Sequence, residues 1–78
     1  MKAIVENPCM NISCYALTIF VEILNLATSC DNKEDLRYSM QLLEKRFTSI
    51  SRYFKWGFGH NHLWVSDLNG VRLIFVEF

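Results

Sequence analysis

The chain has 78 residues, 51% of them hydrophobic and 14% aromatic, and its eight basic side chains balance eight acidic ones. This composition excludes a disordered chain, which needs low hydrophobicity, and a polybasic coat or membrane anchor, which needs net positive charge. A domain of this size buries only about 60–65% of the surface that its unfolded chain exposes. We therefore expect a single domain over residues 1–78 that keeps more apolar surface than it can hide alone.

The N-terminal third predicts a strand followed by an unusually apolar helix. Residues 1–6 alternate weakly and predict a short strand that ends at Asn7-Pro8. From about residue 11 to Ala27, polar side chains fall almost entirely on one line along a helix, and the other positions are apolar. The line consists of Asn11, Thr18, Glu22, Asn25 and Ser29. A helix with so narrow a polar stripe is expected either to be a central core helix or to serve both a core and a partner.

The apolar run over residues 12–28 raises the question of a targeting segment. It is followed by Ala27-Thr28-Ser29-Cys30, which resembles a bacterial lipoprotein cleavage box. Glu22 interrupts the run, and Glu6 and Pro8 stand where a basic leader should be. At about 25 Å if helical, the run is also short for a membrane span. We expect a cytoplasmic protein with no membrane association.

A second helix is predicted from an N-terminal cap and a regular apolar stripe. Asp31 followed by Glu34 matches a capping box. Apolar residues then recur at steps of three and four for about five turns, which predicts a helix from Lys33 to about Tyr53. The stripe consists of Leu36, Met40, Leu43, Phe47, Ile50 and Phe54.

The C-terminal third predicts a β-hairpin after a loop. The loop, from Trp56 to His62, mixes glycines with aromatics. Strands are predicted for residues 63–67 and 71–78, and Asn69-Gly70 between them supplies the positive φ angles of a tight turn.

The last predicted strand is apolar on both faces. Simple alternation places Arg72 with Ile74 on one face, and Leu73 with Phe75 on the other. We therefore expect this strand to lie inside the sheet, beside the strand of residues 1–6.

The predicted order of elements is β-α-α-β-β. This order is typical of an α+β fold in which two helices pack on one face of a three-stranded sheet. A reduced winged-helix module, which normally has a third helix, is the alternative.

Neither a metal site nor a catalytic set emerges from the sequence. The three cysteines, Cys9, Cys14 and Cys30, are an odd number that fits poorly with closed disulfides, so we interpret them as reduced thiols. A metal site would have to join them to His60 and His62, without a CxxC pair or a helical His-x3-His. Since no nucleophile, base and orienting group stand in a recognisable pattern, we expect no enzyme and no cofactor.

The densest functional signal is the aromatic and basic segment that follows the second predicted helix. Residues 45–62 carry four basic side chains and no acidic one. Trp, Tyr and Arg dominate the energetics of protein interfaces, so we predict a partner-binding site here. Its residues are Arg52, Tyr53, Lys55, Trp56, Phe58 and His60. The alternative is that aromatics of this region, Phe54, Trp56 and Trp64, pack in the core.

These features favour a small non-enzymatic module that binds another protein as an adaptor, inhibitor or regulator. We expect it to form a homodimer through the first helix or the exposed sheet, because of the excess apolar surface. Phage accessory proteins that block a host or defence protein are often of this size. The alternative function is a nucleic-acid-binding transcriptional or defence regulator that uses segment 45–62 for phosphates and bases.

Overall fold

The computed structural model describes residues 2–5 and 13–78, which form two helices, a 3₁₀ turn and four strands. In chain order these are β1 (Lys2–Val5), α1 (Cys14–Ser29), α2 (Lys33–Arg46), the 3₁₀ turn (Ile50–Arg52), β2 (Phe54–Phe58), β3 (His62–Asp67) and β4 (Arg72–Glu77). The predicted α+β class, with two helices packed on an antiparallel sheet, is confirmed. The predicted end of the first strand at Asn7-Pro8, the start of the first helix near residue 11, and Cys9 lie outside the described residues.

The strands form one antiparallel sheet in the order β1-β4-β3-β2. As predicted, β4 is interior and lies beside β1. The described sheet has one strand more than predicted, because part of the expected aromatic loop is β2. In β2 the aromatic residues alternate with Lys55 and Gly57, and this period of two belongs to a strand.

Helix α1 begins at a side-chain cap, since the Ser13 hydroxyl accepts a hydrogen bond from the amide of Ala16. Its buried face consists of Ala16, Ile19, Phe20, Ile23 and Ala27. Thr18 and Asn25 are exposed, as the polar stripe predicts, but Leu17 and Val21 are also 49% and 45% exposed. No helix within the described residues is long and apolar enough to cross a membrane.

Helix α2 differs from its prediction at both ends. Its N-cap is Asn32 and not Asp31: the Asn32 side chain accepts from the Asp35 amide at 2.9 Å and donates to the Asp35 carboxylate at 3.1 Å. The bond from the Asp35 amide is an N-cap one residue later than predicted, and the second bond joins two side chains, so it is not the backbone bond of a capping box. The helix ends at Arg46 and not near Tyr53.

The predicted apolar stripe of the second helix leaves the helix halfway along. Ile50 belongs to the 3₁₀ turn and Phe54 to β2, yet both are buried. Phe54 lies against Phe20 of α1, with ring centroids 6.1 Å apart. The helical spacing of these apolar residues therefore correctly predicted that they share one core. It did not predict that the chain leaves the helix between them.

The core lies between the helices and the inner face of the sheet. The helices contribute eight fully or almost fully buried apolar side chains, and the sheet contributes alternate residues of its central strands. The inward residues of β3 are Leu63 and Val65, and their partners on β4 are Val76 and Ile74. All four are 0% exposed.

The β3–β4 connection is a turn over Asp67–Gly70. The Asp67 amide donates to the Val71 carbonyl, and the Asp67 carboxylate accepts from the amides of Asn69 and Val71. Gly70 has a φ of 87°. The prediction that Asn69 also has a positive φ is wrong. In a hairpin loop that consists of a type I turn followed by one left-handed residue, only that last residue has a positive φ.

A β-bulge in β4 changes which side chains share a face. Val65 pairs with Ile74 and Ser66 pairs with Arg72, so Leu73 is an extra residue on β4. Leu73 and Ile74 are both buried. The bulge shifts the alternation by one residue and brings Arg72 to the face of Phe75, where simple alternation predicted Ile74 as its companion.

The core assignment predicts a contrast between two leucines of α2. Leu36 is 0% exposed and Leu42 is 46% exposed. Leu36→Ala removes buried methyl groups and leaves a cavity, so we expect a loss of about 2–5 kcal/mol in the free energy of unfolding. Leu42→Ala makes the same chemical change at the surface and should cost less than about 1 kcal/mol. Urea unfolding of both variants measures the difference, and equal losses would contradict the assignment.

Candidate functional site

The sheet face that points away from the helices carries aromatic and charged side chains in three rows across the strands. In the middle row Phe75, Trp64 and Gly57 are successive partners on β4, β3 and β2. The flanking rows pair Glu77 with His62, and Arg72 with Ser66 and Lys55. We call this set, Lys55, Gly57, His62, Trp64, Ser66, Arg72, Phe75 and Glu77, the outer face.

The aromatic side chains of the outer face do not contribute to the core. Trp64 and Phe75 are half-buried, but neither belongs to the core cluster or packs against it. The alternative prediction that Trp64 is a core residue is therefore wrong. Its neighbours Leu63 and Val65 take the inner face, and successive side chains of a strand point to opposite faces.

The indole of Trp64 lies against the backbone of the neighbouring strand at Gly57. A Cβ added at Gly57 would lie 2.9 Å from Cζ2 of the indole, closer than van der Waals contact allows. The absence of a side chain at Gly57 is thus what lets the indole cover β2. In the same way a Cβ at Gly59 would overlap the imidazole of His62.

Next to Trp64, three side chains form a stack. The Arg72 guanidinium carbon lies 4.5 Å from the centroid of the Phe75 ring, and the His62 ring lies 5.0 Å from the same centroid. A cation over an aromatic ring at an exposed site contributes about 0.5–1 kcal/mol. These contacts orient the rings before any partner arrives. Lys55 and Arg72 are exposed on one row, and Glu77 is exposed on the opposite row.

The structure does not bring the six predicted partner-binding residues onto one surface. Lys55 lies on the outer face. Trp56 and Phe58 lie on the inner face of β2, where they are half-buried and pack against the core. The guanidinium of Arg37 lies over Phe58, 5.0 Å from its ring centroid.

The other three predicted residues lie elsewhere. Arg52 is exposed in the 3₁₀ turn. Tyr53 is half-buried, with its ring 5.8 Å from that of Tyr15. His60 is exposed in the β2–β3 turn, and its carbonyl accepts a hydrogen bond from the Lys33 ammonium at 2.6 Å.

Sequence reasoning missed the larger part of the outer face. The sequence could have predicted the positions of His62, Trp64 and Phe75. Strict alternation in β3 puts Leu63 and Val65 on the face opposite His62 and Trp64. The position of Arg72 could not have been predicted, because its place on this face depends on the bulge at Leu73.

A second surface feature is the open edge of the sheet at β2. A groove of about 360 Å³ runs along this edge. It is lined by Glu44 of α2, Ile50 and Ser51 of the 3₁₀ turn, and Phe54, Lys55 and Trp56 of β2.

Within residues 2–5 and 13–78, no group of three or more His, Cys, Asp or Glu side chains is placed to hold a metal ion. Cys14 is exposed and Cys30 is half-buried, and both are free thiols. The Cys30 thiol donates to the Ser39 hydroxyl at 3.8 Å.

Comparison with known proteins places the chain in a family. It matches, over residues 1–70, the family described as a domain of unknown function, DUF8466. The chain belongs to that family. No curated protein matches it, and no solved structure does. The matched region includes Lys55, His62 and Trp64 and stops before Arg72 and Phe75.

The contact between Trp64 and Gly57 generates a prediction. Gly57→Ala forces the indole off β2, and we expect a loss of about 1–3 kcal/mol in the free energy of unfolding together with a changed tryptophan emission spectrum. The same substitution in a Trp64→Val background should cost much less, because the clashing ring is gone. Urea unfolding of the two single variants and the double variant gives the coupling, and additive losses would contradict the contact.

Proposed function

We propose that this protein is a non-enzymatic module that binds another protein through the outer face. The observation that carries the proposal is the middle of that face, where Trp64 and Phe75 remain outside the core beside Arg72. Trp and Arg are enriched among the residues that supply most of the binding energy at protein interfaces. A zero net charge also suits a protein partner better than a polyanion.

The outer face is ordered by its own contacts, which lowers the entropy cost of binding. Trp64 rests on Gly57, and Phe75 is held between Arg72 and His62. Side chains that are already fixed lose less rotamer freedom when a partner covers them. The expected partner surface is apolar at its centre, with an acidic group opposite Lys55.

The proposal covers the role of an adaptor, inhibitor or regulator of that partner, including the role of a phage accessory protein that blocks a host or defence protein. The small size and the placement of the aromatics support this role. A cytoplasmic location belongs to the same proposal and is supported by the free thiols of Cys14 and Cys30.

A nucleic-acid regulator is the second candidate, and one observation favours it. Trp64 and Phe75 offer rings on adjacent strands, and Lys55 and Arg72 stand beside them, as on surfaces that stack bases and contact phosphates. Against it, the basic segment 45–62 does not form one surface: of its four cations, Lys55 alone is on the outer face.

The other cations of that segment lie elsewhere. Arg46 is 3.3 Å from the carboxylate of Glu22, and Lys45 and Arg46 stand in the last turn of α2, where they complement the helix dipole.

The protein-binding proposal is tested by affinity capture from cells of the source organism. We expect the unmodified protein to retain a partner, and Trp64→Ala and Phe75→Ala to lose it, because each removes an aromatic anchor from the face. Tyr38→Ala is the matched control, since Tyr38 is 64% exposed on α2, away from the sheet. Circular dichroism checks that the variants are folded. A partner that is retained by the folded Trp64 and Phe75 variants would overturn the proposal.

A fluorescent single-stranded DNA oligonucleotide tests the second candidate. Nucleic-acid binding predicts an affinity that falls steeply between about 50 and 200 mM salt and is lost in Lys55→Glu. We expect no such binding. A salt-dependent affinity that is lost in Lys55→Glu would replace the protein-binding proposal with the nucleic-acid one.

A further inference from the structure

We infer that the open edge of β2 is a self-association surface, on which the β2 strand of a second copy pairs antiparallel to form one continuous sheet. This inference goes beyond the proposed function, because it concerns two copies of this chain and does not depend on a further partner. It rests on the main chain of β2, on the register that two such strands allow, and on charges at the neighbouring face of α2.

The hydrogen-bonding groups of three aromatic residues in β2 point away from the sheet. The Gly59 amide donates to the His62 carbonyl at 2.8 Å, which makes this pair a hydrogen-bonded one. Hydrogen-bonded pairs alternate along an antiparallel ladder, so Gly57 and Lys55 also bond to β3. The main-chain groups of Phe54, Trp56 and Phe58 therefore face the open edge. Within residues 2–5 and 13–78, no strand pairs with this side of β2.

The strand is self-complementary in the register that uses its whole length. Two antiparallel copies centred on Trp56 pair Trp56 with itself, and Phe54 with Phe58 of the second copy. Each of these three pairs supplies two main-chain bonds, about six in all. Edge strands usually prevent such pairing with a bulge, a proline or a charged side chain such as lysine, and of these β2 has only Lys55.

The same register also gives the one charged side chain of the strand a favourable position. Lys55 falls opposite Gly57 of the second copy, which has no side chain. Because the indole of Trp64 covers Gly57, the ammonium group arrives beside an aromatic ring and not beside another cation. A register shifted toward the start of the strand would place Lys55 opposite Lys55, and like charges directly opposite are destabilising.

The inner side of the edge has room for the second copy. The groove beside Phe54 is lined by Ile50 and Glu44 and has a volume of about 360 Å³. In the centred register Phe58 of the second copy comes next to Phe54, at this groove. Apolar side chains of the second copy would thus fill a space that the single chain leaves open.

Charges on α2 are complementary across the resulting two-fold axis. Arg37 lies over Phe58, and Glu44 lies by Phe54 and Trp56, so α2 runs opposite to β2 along the edge. When the Phe58 end of one copy meets the Phe54 end of the other, Arg37 of each copy meets Glu44 of the other. Within residues 2–5 and 13–78, neither Arg37 nor Glu44 forms an ion pair inside the protomer, so both can make this contact.

The two outer faces would then lie side by side on one sheet. A dimer of this kind presents the Trp64 and Phe75 surface twice. A partner with two equivalent sites would bind it more tightly than a single copy, because the second binding event is intramolecular. This arrangement is isologous, so it closes at two copies and does not extend into a fibre.

Charge reversal on α2 tests the inference in the full chain. Sedimentation velocity from about 1 to 500 µM covers the dissociation constants expected of a small interface. We expect a dimer for the unmodified protein. Arg37→Glu and Glu44→Arg should each weaken it about tenfold, because each creates two like-charge contacts by symmetry, and the double variant should restore it. Both side chains are exposed, so the variants are expected to fold.

Amide hydrogen exchange by NMR locates the contact at the residue level. The amides of Trp56 and Phe58 should exchange rapidly in dilute protein and become protected as the concentration rises. The amides of Lys55 and Gly57 bond to β3 in both states and serve as internal controls.

Three results would overturn the inference. They are a monomer throughout the concentration range, a dimer whose Trp56 and Phe58 amides gain no protection, and a dimer that is lost in Leu17→Glu while the charge reversals leave it unchanged. The last result would assign self-association to the exposed surface of α1, where Leu17 is 49% exposed. Because every readout uses this chain alone, a negative result here leaves the partner-capture experiment unaffected.

Discussion

The pairing register between β3 and β4 decides which side chains the helices cover. Hydrogen-bonded partners on these strands form the inner face, and each buried aliphatic side chain contributes about 1.5–3 kcal/mol of hydrophobic stabilisation. These partners are Leu63, Val65, Ile74 and Val76. A slip of one residue would bury Trp64 and Phe75 and expose the aliphatic set. The aromatic side chains of the outer face therefore remain at the surface because their neighbours along each strand are buried in the core.

Strand β2 contributes to the outer face of the sheet, to its inner face and to its open edge. Its Gly57 supports the indole of Trp64 on one face, while Trp56 and Phe58 close the core on the other. Its open edge is a third surface, where main-chain groups lie beside a groove lined by side chains of α2, the 3₁₀ turn and β2. Substitutions in β2 consequently change stability and binding together, whereas the exposed Arg37 and Glu44 of α2 can be changed with less effect on stability.

Periodicity in the sequence predicted the fold class, both helices and the interior place of β4. It extended α2 too far because Ile50 and Phe54 keep helical spacing while they reach the same core from a 3₁₀ turn and a strand. The spacing of apolar residues indicates which residues belong to one core, but it does not indicate the secondary structure of the chain between them. The candidate site was mostly missed, since two of its determinants are non-local: the bulge at Leu73 that turns Arg72 outward, and the contact of Trp64 with a strand predicted to be a loop.

The place of β4 between β1 and β3 has a consequence for the order of folding. The β3–β4 hairpin closes a short turn, whereas Lys2 of β1 pairs with Glu77, 75 positions away (77 − 2). Long-range pairing costs more loop-closure entropy and slows folding. We therefore expect the hairpin and β2 to associate with the helices first and β1 to be added last. Until β1 pairs with it, β4, an interior strand of the finished sheet, is itself an edge strand.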